Sequence, residues 1–506
     1  MTDSGGGGTG GPGGAGGDGG ESALALGAEC SVPSQCESGW CTDGVCCEVL
    51  CDGGCEACDA TGKCSPHGAG QDPEMVCALA TCDGSGSCGF GAHRWSFLAK
   101  APGDGAISDV TVDSAGNAIV VGTFQGALDI AGLVLSSAGQ TDLFVVKVGP
   151  SGQAIWGKRF GDAAAQSATS VAMDAAGNIY VAGTTCGVVD FGGAASVTGS
   201  CNIQSLNYAE GYLTKLDGNG NGLWAIVGNS FGFRSVTVDS SGTAVYYWAS
   251  NASPVIDSAS VVKRATTTGS QVWQYAPPGL PENGLLTVTP AGQLWLVAGF
   301  SGTVDFDTGA KTSNDDAAFL ARLDPDGTEL FVEVLGDGNA YPTGLRADGM
   351  GGLFLTGYYT SALNLGGLVL PTSGGWDAFV AHFDSTAQHI WSRGVGGGAD
   401  DRGGDMAFFS DGSIAWVGQT ESTLDFGVGE HIPAGGGDAF VVRLSSSGTT
   451  MWSHLLGGSG QDELTRVIVR GDDLFAVGTT DGQINLGGGL LFPSDGVEGM
   501  AVRLGP

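Results

Sequence analysis

Along most of this chain apolar and polar residues alternate with a period of two, in short runs broken by Gly, Asn and Asp. That alternation marks strands with one face buried. The runs come in copies. VTVDSAGNAIVVGTF from Val110 returns as VAMDAAGNIYVAGTT from Val171 and VTVDSSGTAVYYWAS from Val236, and again from Leu286, Leu345, Met406 and Val467. Each copy reads as a hairpin whose reversal uses Gly and Asn, which tolerate positive φ. A second hairpin follows each of the first six copies and ends on an aromatic residue: Trp156, Trp224, Trp273, Phe331, Trp391 and Trp452. No helical period interrupts the series.

Two hairpins make four strands per unit, and four-stranded units repeated radially make a β-propeller. The ends predict a closed ring. The seventh unit stops at GMAVRLGP (499–506) without an aromatic-bearing strand, whereas HRWSFLAK (93–100) precedes the first unit as an unpaired strand. The expected fold is therefore all-β, seven blades over 93–506, with 93–100 completing the last blade and Trp95 as its anchor. An open solenoid would need polar capping units, and the sequence offers none.

The unit GGGDAFVVRLSSSGTTMWSHLLGGSGQDELTRVIV (435–469) resembles the bacterial seven-bladed propeller repeat of secreted and cell-surface proteins. The resemblance covers 93–506 and rests on DAFV, GxxxW, LGGSG and the Gly-turn hairpin. It implies a fold and an address but no single reaction, because one fold hosts many functions.

The region before the repeats has a different composition. Residues 1–27 read as a linker, with Gly at twelve of the first twenty positions, a composition that buries too little apolar surface to order itself. Residues 28–90 read as a disulfide module, since twelve of the 14 cysteines lie between Cys30 and Cys88. With few large apolar residues, cross-links must replace a core there. Zinc is the rival reading, through the CxxC pair Cys55 and Cys58, but His67 is the only nearby His and the Cys46-Cys47 doublet suits a staple network. The segment CESGWCTDGVCCEVLCDGGCEACDATGKCSP resembles Cys-rich modules in front of repeat domains in bacterial envelope proteins. That resemblance implies an extracellular or outer-membrane location. Residues 2–27 are similar to the tether of a bacterial lipoprotein, although no secretory leader or lipid-bearing Cys is visible: the apolar stretch SALALGA is too short and nothing basic precedes it. The remaining cysteines, Cys186 and Cys201, flank one inter-hairpin loop and are expected to bond. Closing that loop is worth about 3 kcal/mol in chain entropy.

Charge narrows the partners. Nineteen basic against 53 acidic residues give a formal net charge of −34, which disfavours nucleic acid and anionic membrane. No apolar run approaches the ~20 residues of a spanning helix. Catalytic patterns are missing too: the six His lack metal spacing, and neither a GxSxG elbow nor a phosphate loop leading into a helix occurs. Asp217-Gly-Asn-Gly-Asn-Gly222 has the opening spacing of a calcium loop, but position twelve is Gly228, so it reads as a hairpin turn. Acids recur at the head of the third strand (Asp142, Glu210, Asp377, Asp438, Glu498) and read as caps of backbone N–H groups.

The tight turns fall on one face of the ring and the longer inter-hairpin and inter-unit loops on the other. Variable loops carry function more often than stereotyped turns, so the long-loop face is the candidate surface, with Tyr341, Trp376, Asp400, Asp401 and Asp462 in or beside its loops. Calcium at Asp400, Asp401, Asp462 and Glu463 is the one cofactor considered; otherwise none is expected, and solvated charge is the default. The expectation is a secreted or surface-tethered monomer binding a protein or glycan. The alternatives are an extracellular lyase or hydrolase at the channel mouth, or a structural envelope component.

Overall fold

The computed structural model describes residues 92–505 apart from 104, 202–208, 229–231, 254–255, 282–283, 337–338 and 495, and before them 24–26, 28, 36, 41–42, 45–46, 56–58 and 63–66. The N-terminal unit and the propeller unit are separate compact bodies. In the first, Cys36 and Cys46 are bonded. The linker (1–27) and the other bridges of the Cys-rich module fall largely outside the described residues.

The second unit is a seven-bladed β-propeller. Each blade is a four-stranded antiparallel meander, here lettered a to d in order. Blade 1 runs Ala106–Val112, Ala118–Phe124, Asp142–Val148 and Ala154–Phe160. Blade 7 takes a, b and c from Asp462–Arg470, Asp473–Thr480 and Glu498–Gly505, and its d strand from Ala92–Ala99. Gly499 pairs with Ala99 and Arg503 with Trp95, so the two ends of the repeat close the ring as the orphan strand foretold. The b and c strands are buried almost throughout, as in Asp438–Leu444, because neighbouring blades sandwich them.

The a strands are innermost and line the central channel. An innermost strand leaves one row of backbone N–H groups unpaired, which buried backbone does not tolerate. A bulge in the strand supplies the remedy. The pairing slips between Ile107 and Asp109, Ala168 and Ser170, and Gly403 and Asp405. The bulge turns a polar side chain toward the next blade. Asp109 accepts from Val171 N at 2.8 Å and Ser170 Oγ at 2.9 Å. Ser170 Oγ accepts from Val236 N at 3.2 Å, and Asp405 from Val467 N at 3.2 Å.

The tight turns are built alike. Asp113 accepts from Ala115 N and Asn117 N, both at 2.9 Å, and pairs with Lys147 of the c strand at 2.8 Å. Burial pushes its carboxyl up, but the Asn117 and Lys147 bonds prevail and hold it at about 2. Asp174–Lys215, Asp411–Arg443 and Asp473–Arg503 repeat the pair in other blades. Asp217 accepts from Asn219 N and Asn221 N, which makes it the hairpin turn expected of it. Cys186 and Cys201 are bonded, with Cα atoms 5.0 Å apart, across the loop that holds the Val188–Asp190 and Ser196–Thr198 hairpin.

Candidate functional site

The a→b and c→d turns share one face of the ring, so the b→c and d→a connections share the other. On that long-loop face blades 5 and 6 assemble a stack of rings. Tyr341 is second in the a strand of blade 5, Ala340–Ala347, and Tyr358 is next to last in the b strand, Leu353–Tyr359; the two pair across the sheet. Their rings stack at 5.0 Å and 19°. Trp376, in the b→c loop, lies 4.9 Å from Tyr358 at 31°. The Arg402 guanidinium of blade 6 covers Trp376 at 4.0 Å and reaches Tyr358 at 6.0 Å. Such cation–π contacts contribute roughly 0.5–1 kcal/mol each where water reaches them.

Asp400 orders this group. Its Oδ1 accepts from Trp376 N at 3.1 Å and its Oδ2 pairs with Arg402 at 3.5 Å. The Trp376 carbonyl in turn accepts from Asp401 N at 2.6 Å. All five residues (Tyr341, Tyr358, Trp376, Asp400 and Arg402) are partly exposed. Burial raises the Tyr358 phenol, with Arg402 opposing and Glu463 adding to the rise, so Tyr358 stays a neutral donor at physiological pH.

The structure thus gathers Tyr341, Trp376 and Asp400 at one place and adds Tyr358 and Arg402, which sequence reasoning missed. The Asp401 and Asp462 side chains are not part of the exposed group: both are fully buried, although the Asp401 backbone N–H bonds the Trp376 carbonyl. Asp401 accepts from Gly397 N at 2.8 Å and Thr420 Oγ1 at 2.5 Å, and Asp462 from Gly458 N at 2.9 Å. They cap loops from the head of the first strand, as the third-strand acids do. Asp142, Asp377, Asp438 and Glu498 each accept from the backbone N–H four residues earlier, and Glu210 accepts from Ser200 N at 2.9 Å. The signal for Asp401 and Asp462 was present, since both open a strand after a Gly-rich loop.

Two of these caps face each other across the blade 6–7 junction. The Asp438 carboxyl lies against Gly457, and Asp462 accepts from Gly458 N. Burial pushes Asp462 up to about 6, and Asp438 adds repulsion. Asp438 is raised by burial as well. At the blade 1–2 junction the corresponding partner of Asp142 is Gln166, and Arg159 pairs with Asp142 at 2.9 Å. Among the described residues no group of three or more His, Cys, Asp or Glu is placed to hold a metal ion.

Behind the stack, the a strands enclose a cavity of about 560 Å³ on the ring axis, lined by Arg234, Arg346 and Arg466 together with Asp109 and Asp405. Arg346 bonds Asp405 at 2.5 Å and the Met406 carbonyl at 3.2 Å. Burial raises the Asp405 carboxyl, with Arg346 and Arg466 opposing.

No family model matches the chain. An uncharacterized WD repeat-containing protein of Acanthamoeba polyphaga mimivirus is 28% identical over 159 residues, covering 29% of this chain and 11% of that protein. The regulatory protein FlaEY of Caulobacter vibrioides is 25% identical over 244 residues, covering 44% of this chain and 24% of its own length. The chain therefore spans no more than about a quarter of these relatives. Among solved structures, the Dos1 propeller overlays on 81% of this chain and 95% of its own with a TM-score of 0.41 and 8% identity. The quinohemoprotein alcohol dehydrogenase of Comamonas testosteroni overlays on 82% of this chain and 76% of its own, at a TM-score of 0.39 and 10% identity.

Proposed function

We propose that this chain is a binding module of a secreted or surface-tethered bacterial protein, engaging a protein or glycan through the long-loop face. The observation that carries the reading is the stack Tyr341–Tyr358–Trp376–Arg402, pinned by Asp400. Tyr, Trp and Arg held rigid and half-exposed are the residues that dominate binding energy at interfaces, because little rotamer entropy is lost when a partner docks. The bonds Cys36–Cys46 and Cys186–Cys201 support an oxidising compartment. Net charge of −34 supports a partner other than nucleic acid.

A hydrolase or lyase at the channel mouth is less well supported. The two carboxylates that line the channel, Asp109 and Asp405, are both buried and each bonds a backbone N–H of the next blade. Their geometry is that of structural links between blades.

Glycan arrays and binding to purified surface proteins test the reading, with W376A and R402A compared against the parent chain. Each variant should weaken the parent's binding by about 1–3 kcal/mol while the melting temperature stays nearly constant. A parent chain with no ligand among glycans and surface proteins, or variants that bind as the parent does, would overturn it.

A further inference from the structure

The basic residues of this acidic chain are not spread evenly. Six of them sit at one repeated position of the c strand (Lys147, Lys215, Lys263, Arg322, Arg443 and Arg503) and hold turn carboxylates or carbonyls. Three others, Arg234, Arg346 and Arg466, come from the a strands of alternate blades, 3, 5 and 7, and line one axial cavity. They do not share one register: Arg346 stands where other inner strands carry Thr111, Ala172 or Thr287, and Arg466 stands at the bulge position that holds Asp109, Ser170 and Asp405 in other blades.

Their charge is only partly answered. Arg346 is fixed against Asp405 and the Met406 carbonyl. Arg466 donates to the Thr465 carbonyl at 2.7 Å, and Arg234 is exposed; among the described residues neither has a carboxylate within ion-pair distance. Glu463, the other acid that feels Arg466, feels Arg402 first. Against these three guanidinium groups the described lining sets two carboxylates, Asp109 and Asp405, which leaves a formal surplus of one positive charge. Asp109 accepts from Ser170 Oγ and two backbone N–H groups. Asp405 accepts from Arg346 and Val467 N. The result is a cavity with a cationic surplus inside a protein of net charge −34.

We propose that the axial channel is a binding site for a small oxyanion, a carboxylate- or phosphate-bearing molecule held between Arg234, Arg346 and Arg466. Guanidinium groups match the oxygens of carboxylate and phosphate in a planar, two-point fashion. The low-dielectric walls of a narrow channel strengthen that attraction relative to open surface. A volume of about 560 Å³ lies within the range of small-molecule sites. Hydroxyl-bearing Thr111, Ser235 and Thr237 also line the cavity, which suits a ligand with hydroxyl groups beside the acid. This site shares no residue with the aromatic stack and does not depend on it.

Calorimetric titration with inorganic phosphate and with citrate, each at constant ionic strength maintained by sodium chloride, tests the proposal. Saturable binding of at least one is expected, weakened about tenfold or more in R234A and in R466A, and unchanged in W376A. R234A removes an exposed side chain that has no ion-pair partner among the described residues, so its folding is not at issue, and R466K separates loss of charge from loss of fork geometry. Phosphate binding alone points to inorganic oxyanions, whereas tighter citrate binding points to organic acids. The absence of saturable binding by either probe, or equal binding by parent and both Arg variants, overturns the proposal.

Discussion

Ala387 holds a left-handed backbone, φ 62°, and packs in one cluster with Phe331 of the preceding blade. The same c→d turn position is Gly in the other blades that present a Trp to it. Gly220 lies under Trp156, where a Cβ would sit 2.9 Å from the indole Cη2 and Cζ3, and Gly448 lies under Trp391, 2.8 Å from the indole Cε3. The smaller Phe ring leaves room for the Ala methyl. Anchor and turn residue are therefore matched in size across a blade junction.

This match predicts a coupled pair. F331W should destabilise by about 1–3 kcal/mol through overpacking against Ala387. A387G alone should be near neutral, since relief of the left-handed strain offsets the added freedom of the unfolded chain. The double variant F331W/A387G should recover most of the loss, and denaturant unfolding of all four proteins measures the coupling. Simple additivity would show that the two side chains do not meet.

Ring closure depends on the strand Ala92–Ala99, whose Trp95 is buried against Phe97 and Phe475. W95A should lower stability by about 3–5 kcal/mol, as expected for a large core aromatic. A chain beginning at residue 101 leaves the c strand of blade 7 as an open edge and should aggregate or melt at much lower temperature. Unchanged thermal unfolding of the shortened chain would show that the ring holds without its closing strand, and unchanged unfolding of W95A that the Trp95 ring adds nothing to it.

The Asp438–Asp462 pair predicts a pH dependence. Asp462 titrates at about 6 in the fold, above the ~3.9 of an unfolded Asp. The folded chain therefore binds more protons than the unfolded chain between these values, and this contribution to stability falls as pH rises through about 6. D462N keeps an oxygen for Gly458 N–H and removes the charge. It should be more stable than the parent by about 1–3 kcal/mol at pH 7.5, with the difference vanishing below pH 4. A constant difference across that range would place the effect outside the titration.

Removal of the Cys186–Cys201 bond in C186S/C201S should cost about 3 kcal/mol of stability, on a loop-closure argument. The loop lies on the long-loop face, away from Trp376 in blade 5, so binding that depends on Trp376 should survive. Equal chemical denaturation midpoints with and without the bond would contradict the prediction.

Hairpins, turns and closure were legible because each depends on local chemistry. Period-two alternation marks strands, Gly and Asn mark reversals, and the unpaired strand 93–100 matched the incomplete last unit at 499–506. The cap role of Asp142, Asp377 and Asp438 was legible for the same reason, since each bonds a backbone N–H only four residues away. The nearby pair Cys186 and Cys201 was legible too.

What tertiary structure alone decided is which strand faces the axis and which side chains meet between blades. Alternation reads the same for an inner and an outer strand, so Arg234, Arg346 and Arg466 stand out only once the a strands are seen to line the channel. Tyr358 and Arg402 join Tyr341 and Trp376 through the angle between blades 5 and 6, and no spacing along the chain encodes that angle. Asp109 reaches Val171 across 62 residues. Contacts of that span are set by the closing of seven blades into a ring, and the physics of a single hairpin contains no information about its neighbour's side chains.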